Sequence, residues 1–110
     1  MEYSKREEGG AQIVSFVGDI DLQSSPEVRK VLLSAVDEGV PVLVDLSGVE
    51  YIDSSGVASM VESFQNSRKK NQEYILVSVS EAAMRVLQLA RLDKVFTISD
   101  SVEDALKSIG

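Results

Sequence analysis

Between Pro41 and Lys70 the chain changes its hydrophobic period once, and that change constrains the fold more than any other feature. The segment reads PVLVDLSGVEYIDSSGVASMVESFQNSRKK. It opens with Pro41-Val42-Leu43-Val44 running into Asp45 and Leu46, a short apolar stretch without polar alternation. Such a stretch suits a central parallel strand covered on both faces. After Asp53-Ser54-Ser55-Gly56 the spacing becomes helical: Val57, Met60, Val61 and Phe64 fall at i, i+3, i+4 and i+7. Ser59, Glu62, Gln65 and Arg68 fall on other faces, where water is expected. A buried strand, a short loop and an amphipathic helix make one βα unit. Its junction is the edge where α/β sheets usually carry their sites. Aspartate and serine before a helical run are cap residues, because their oxygens satisfy the orphan amides of the first turn. Ser54 and Ser55 are therefore expected at the positive end of a helix, either as caps alone or as part of a site.

The same alternation extends in both directions. Glu2 to Glu8 reads as an edge strand, Gly9-Gly10 as a turn, and Ala11 to Val17 as a strand, together an N-terminal β-hairpin. Gly18-Asp19-Ile20-Asp21 ends that strand. Two aspartates two residues apart on extended chain point the same way. Two carboxylates alone make a poor cation site, so a solvated strand end is expected. Ser24-Ser25-Pro26-Glu27 starts a helix. Ser24 with Glu27 fits a capping box and Ser25 with Pro26 fits a cap followed by N1 proline, two registers the sequence leaves open. Val28, Val31, Leu32, Ala35 and Val36 form its inner face, and Gly39 stands where a C-terminal glycine belongs. Tyr74 to Val79 is a strand. Ser80-Glu81 opens a helix through Leu92, with Leu89 and Leu92 expected under the following loop. Lys94 to Ile98 is a last strand, and Asp100 with Glu103 caps a terminal helix. The order β-β-α-β-α-β-α-β-α predicts an α/β fold, a mixed, mostly parallel sheet of about five strands with about four helices.

Composition narrows the chemistry. The chain has 110 residues, enough for a single domain, with a net charge of −7, no cysteine and no histidine. The negative charge argues against a direct nucleic-acid binder, whose affinity comes largely from neutralising phosphates, and against an anionic membrane surface. Without histidine or cysteine there is no Ser-His-Asp or Cys-His arrangement, and transition metals lose their usual ligands. No phosphate-cradling glycine loop and no Gly-x-Ser-x-Gly elbow are present. The expectation is a non-enzyme with no cofactor and no metal. No apolar run is long enough to insert in a membrane, and the polar first ten residues do not resemble a signal peptide. Cytoplasm is the expected location.

Three segments together carry a resemblance. Asp45 to Gly56, DLSGVEYIDSSG, is similar to the signature of the STAS domain, in particular of bacterial anti-sigma-factor antagonists. Gly18-Asp19-Ile20-Asp21 resembles that family's Gly-x-x-Asp strand end, and Leu87 to Phe96, LQLARLDKVF, its segment between third helix and last strand. The resemblance implies a STAS fold and a switch. The unphosphorylated antagonist binds an anti-sigma factor that is also a serine-protein kinase, which frees a sigma factor. Phosphorylation of one serine ends the complex, and a serine phosphatase restores it. The family's phosphoserine directly follows the motif's aspartate, which puts it at Ser54, with Ser55 as the nearest alternative. Asp21 matches a position near the partner surface and Asp53 flanks the phosphosite. Asp21, Asp53, Ser54, Ser55 and Gly56 are thus the implied partner-binding set, on a chain expected to be a monomer. Another branch of the family serves phospholipid-transport ABC systems as a regulatory subunit. Its motif tends to carry threonine where Ser54 stands, so the serine favours the switch.

Overall fold

The strand-helix alternation is realised in a computed structural model that describes residues 1–109. The elements are β1 (Glu2–Glu8), β2 (Ala11–Ile20), α1 (Ser25–Asp37), β3 (Val42–Ile52), α2 (Ser54–Lys69), β4 (Tyr74–Val77), α3 (Glu81–Leu89), β5 (Thr97–Ser99) and α4 (Val102–Ile109). Gly9 and Gly10, both at positive φ, turn β1 back on β2, so those two strands pair antiparallel. Every later pair is parallel, and the strands lie in sequence order across the sheet.

β3 is therefore the middle strand, and its side chains alternate between two cores. Val42, Val44 and Leu46 face a large cluster with Val28, Leu32, Met60, Phe64 and Leu87, so α1, α2 and α3 cover one face. Leu43 turns the other way, to Ile13, Ile75, Val77 and Ala105, where α4 lies. Parallel strands joined by right-handed crossovers in one direction must place their helices on one side.

Several boundaries differ from the sequence expectation. β2 continues to Ile20 and β3 to Ile52, through the stretch expected to be a loop. Two register shifts, between Ser15 and Val17 and between Gly18 and Asp19, let the pair run on past the polar Ser47 and Gly48. Beyond Asp45, which faces the last residue of β4, only β2 pairs with β3. β4 stops at Val77 because Ser78 adopts a positive φ.

α3 ends at Leu89, short of Leu92, and Arg91 adopts a left-handed conformation just beyond it. Leu92 does pack against the core, but Leu89 is 79% exposed. The last strand begins only at Thr97, because Phe96 leaves the ladder to pack among aromatics, 5.0 Å from the Phe64 ring. Ser101, rather than Asp100, caps α4, its Oγ accepting the Asp104 N–H. Ser59 of α2, expected to meet water, is buried, its hydroxyl within reach of the Ser25 and Ser55 carbonyls. Among the described residues no helix is long and apolar enough to cross a membrane.

Candidate functional site at the start of α2

The prolonged β2–β3 pair delivers the chain to the start of α2 at the carboxyl edge of the sheet. Ile20 and Ile52 end the two strands as buried partners, and the Asp53 N–H donates to the Ile20 carbonyl at 3.1 Å. The helix begins at the next residue. Gly56, in its first turn, lies hard against both strand ends. A Cβ there would stand 2.5 Å from Ile20 Cγ2 and 2.9 Å from Ile52 Cγ1. Glycine permits this close approach. Gly56 is itself buried, so its part in the site is to seat the turn rather than to offer surface.

Asp53 is the N-cap, in extended conformation. Its Oδ1 accepts from the Ser55 N–H at 3.0 Å, the Gly56 N–H at 3.2 Å and the Ser55 hydroxyl at 2.5 Å. The cap is thus the aspartate, and neither serine fills that place. The Ser55 hydroxyl foremost, with the amides of Gly56, Ser55 and Leu22, holds the Asp53 carboxyl below the usual carboxylate range against the opposing effect of partial desolvation.

The two serines consequently differ in chemistry. Ser55 is half-buried and its hydroxyl is given to Asp53. Ser54 is exposed, and among the described residues its hydroxyl has no side-chain hydrogen bond. It sits at the first position of a sixteen-residue helix, where the backbone dipole favours negative charge.

Asp21 lies just past the end of β2, half-buried, and works within its own loop. Its Oδ1 accepts the Gln23 and Ser24 N–H groups, each at 3.0 Å. The Ser24 Oγ accepts the Asp21 N–H at 2.9 Å. This reciprocal pair explains why neither expected capping register appears: Ser24 holds the N-cap position of α1, yet its hydroxyl turns back to Asp21. Asp19 is exposed. Among the described residues no group of three or more acidic side chains is placed to hold a metal ion.

The structure brings Asp53, Ser54, Ser55 and Gly56 into one turn and links Asp21 to them through its loop, since the Leu22 amide faces the Asp53 carboxylate. Two side chains that the sequence reading passed over share this edge: Leu22, 75% exposed, and Tyr51, 51% exposed. The signal for Leu22 was there, a large apolar residue among Asp21, Gln23 and Ser24 with no periodic face to join.

A family model for the STAS domain matches residues 2–105. The chain belongs to the STAS-domain family. Its similarity runs to antagonists of anti-sigma factors. An anti-sigma-B factor antagonist of Listeria monocytogenes is 30% identical over 84 residues, spanning 76% of this chain and 74% of that protein. One of Bacillus subtilis is 28% identical over 94 residues, 86% of each chain. The crystal structure of an anti-sigma factor antagonist from Mycobacterium paratuberculosis superposes with a TM-score of 0.88 at 26% identity, covering 97% of this chain and 92% of that one.

Proposed function

We propose that this STAS protein is an anti-sigma-factor antagonist whose partner is both an anti-sigma factor and a serine kinase, and that Ser54 is the residue the kinase phosphorylates. The observation that carries the reading is the contrast between the two serines. Ser54 presents a free, exposed hydroxyl on the first turn of α2, whereas the Ser55 hydroxyl is held by Asp53. A kinase needs a hydroxyl it can reach and whose oxygen is not already committed.

The switch follows from charge. A phosphate carries close to two negative charges and would sit exposed at the positive end of the α2 dipole, which tolerates it, so the fold has no reason to change. The penalty falls on the complex, where a dianion beside Asp53 must be desolvated against a surface fitted to a neutral hydroxyl. Losing about 3 kcal/mol there weakens binding roughly a hundredfold. The phosphorylated form lets go, and a phosphatase returns the hydroxyl.

The test uses the purified protein, its cognate kinase and ATP. Ser54→Ala is expected to bind the kinase as the natural protein does and to take no label. Ser54→Asp is expected to bind more than tenfold more weakly by calorimetry. Label on the alanine form would move the site elsewhere, and unchanged affinity of the aspartate form would remove the charge mechanism.

A further inference from the structure

Among the described residues six large apolar side chains stand well exposed: Tyr3, Val17, Leu22, Tyr51, Leu89 and Val95. Two of them, Leu22 and Tyr51, occupy the carboxyl edge of the sheet with Ser54. Leu22 is held outward rather than left loose. The Asp21 carboxylate accepts the amides of Gln23 and Ser24, the two residues after Leu22, and the Leu22 amide faces the Asp53 carboxylate, so the side chain projects from a braced loop. Tyr51 projects from the end of β3, opposite Asp19 of β2 and three residues before Ser54. An apolar side chain left in water beside a braced polar loop gains most from being covered by another molecule.

The surroundings say what kind of surface covers it. Glu50, Asp19 and Asp21 line one shallow cleft at this edge, and Asp53 lies beside Ser54. Among the described residues no lysine or arginine forms an ion pair with any of these four. A complementary partner therefore offers an apolar socket rimmed by lysine or arginine. We propose that Leu22 and Tyr51 are the anchors by which this protein docks such a socket on its anti-sigma factor, the acidic residues setting the rate of encounter and the two apolar side chains the lifetime of the complex. The inference rests on the anti-sigma-factor reading above and adds to it the residues, and the partner chemistry, that hold the unphosphorylated complex together. Ser54, being small and hydroxylic, is then the gate within that surface and contributes little to affinity.

The test measures binding of the cognate anti-sigma factor to full-length Leu22→Ala, Tyr51→Ala and Leu89→Ala by surface plasmon resonance at two salt concentrations. Leu22 and Leu89 are mostly solvent-exposed, so thermal unfolding of those two variants is expected to stay unchanged. Tyr51, half covered within β3, is expected to lose a little stability, and its binding is read well below its unfolding midpoint. Leu89 is the control, because α3 begins at the carboxyl edge and carries it to the opposite end of the sheet. The expected result is at least a tenfold faster dissociation for each of Leu22→Ala and Tyr51→Ala, none for Leu89→Ala, and an association rate for all forms that falls as salt rises. Natural binding by Leu22→Ala and Tyr51→Ala, or an equal loss in Leu89→Ala, overturns the anchors while leaving the anti-sigma-factor reading intact. Failure of the unsubstituted protein to bind overturns both.

Discussion

Asp53 does more for the site than either serine. Its carboxylate caps α2, takes the Ser55 hydroxyl out of competition, and faces the amide of the neighbouring loop. Each of these contacts is made to the ionised form, and together they depress its pKa. A depressed carboxylate stabilises the fold above its unfolded pKa of about 3.9, and that contribution disappears as the pH falls through the lower folded value. Asp53→Asn, which keeps a cap oxygen but no charge, is thus expected to be less stable than the natural protein at pH 7. The gap should close as the pH is taken from about 4 downwards, by urea unfolding followed by circular dichroism. A gap that stays constant with pH would mean that the charge is not the stabilising feature. Much of this residue-level picture was legible beforehand, because Asp-Ser-Ser before a helical period announces a capped junction. Which of the three oxygens does the capping was not. That choice depends on Asp53 N–H reaching the Ile20 carbonyl, a contact between residues 33 apart in sequence.

At the scale of the element, α2 is positioned by its small residues as much as by its apolar stripe. Ser59, Ser63 and Ser67 are buried along one line of the helix; Ser63 shares a 2.6 Å hydrogen bond with the buried Tyr74 hydroxyl, and the Ser67 hydroxyl returns to the Phe64 carbonyl. Burial raises the Tyr74 pKa, which keeps that phenol neutral and able to donate. Gly56 continues the theme at the helix start. In Gly56→Ala the new methyl would meet Ile20, whose β-branched side chain cannot simply rotate aside. Overpacking of this kind costs about 1–3 kcal/mol, more than alanine's gain of about 1 kcal/mol in helix propensity returns. A net loss of stability is expected by urea unfolding, with weaker binding of the partner as the turn carrying Ser54 is pushed outward. Stability equal to the natural protein would show that the turn has room to spare. Periodicity and cap residues located the helices and the later strands, because local spacing decides those. β1, with only Tyr3 as a large apolar residue, was legible through the Gly9-Gly10 turn that joins it to β2. Periodicity misjudged the reach of β2 and β3, where bulges carry the ladder through polar residues, and the environment of Ser59, where a neighbouring helix overrides polarity. It also misplaced Leu89, since Arg91 ends the turn before any loop can cover it.

For the whole molecule, a five-stranded sheet leaves two free edges, β1 and β5, at which a second copy could pair. β5 is three residues long, which leaves little to pair with. β1 is longer, seven residues exposed throughout, but from its midpoint onward it reads Lys5-Arg6-Glu7-Glu8. Two copies related by a twofold axis and paired antiparallel along this strand must set one residue opposite itself. A register centred on Lys5, Arg6 or Glu7 therefore places like charges face to face. A net charge of −7 adds a general repulsion between copies. The protein is accordingly expected to sediment as a single 12.0 kDa species from micromolar to several hundred micromolar concentrations. Replacing a charge on each face of the strand, as in Arg6→Val with Glu7→Val, removes the obstacle for the registers centred on those two residues and leaves a more apolar, β-prone edge. That variant is expected to dimerise or aggregate with rising concentration while its thermal unfolding midpoint at low concentration is unchanged, because neither side chain packs in either core. A natural protein that already sediments as a dimer would place the copies' contact somewhere other than this edge and would refute the argument from charge.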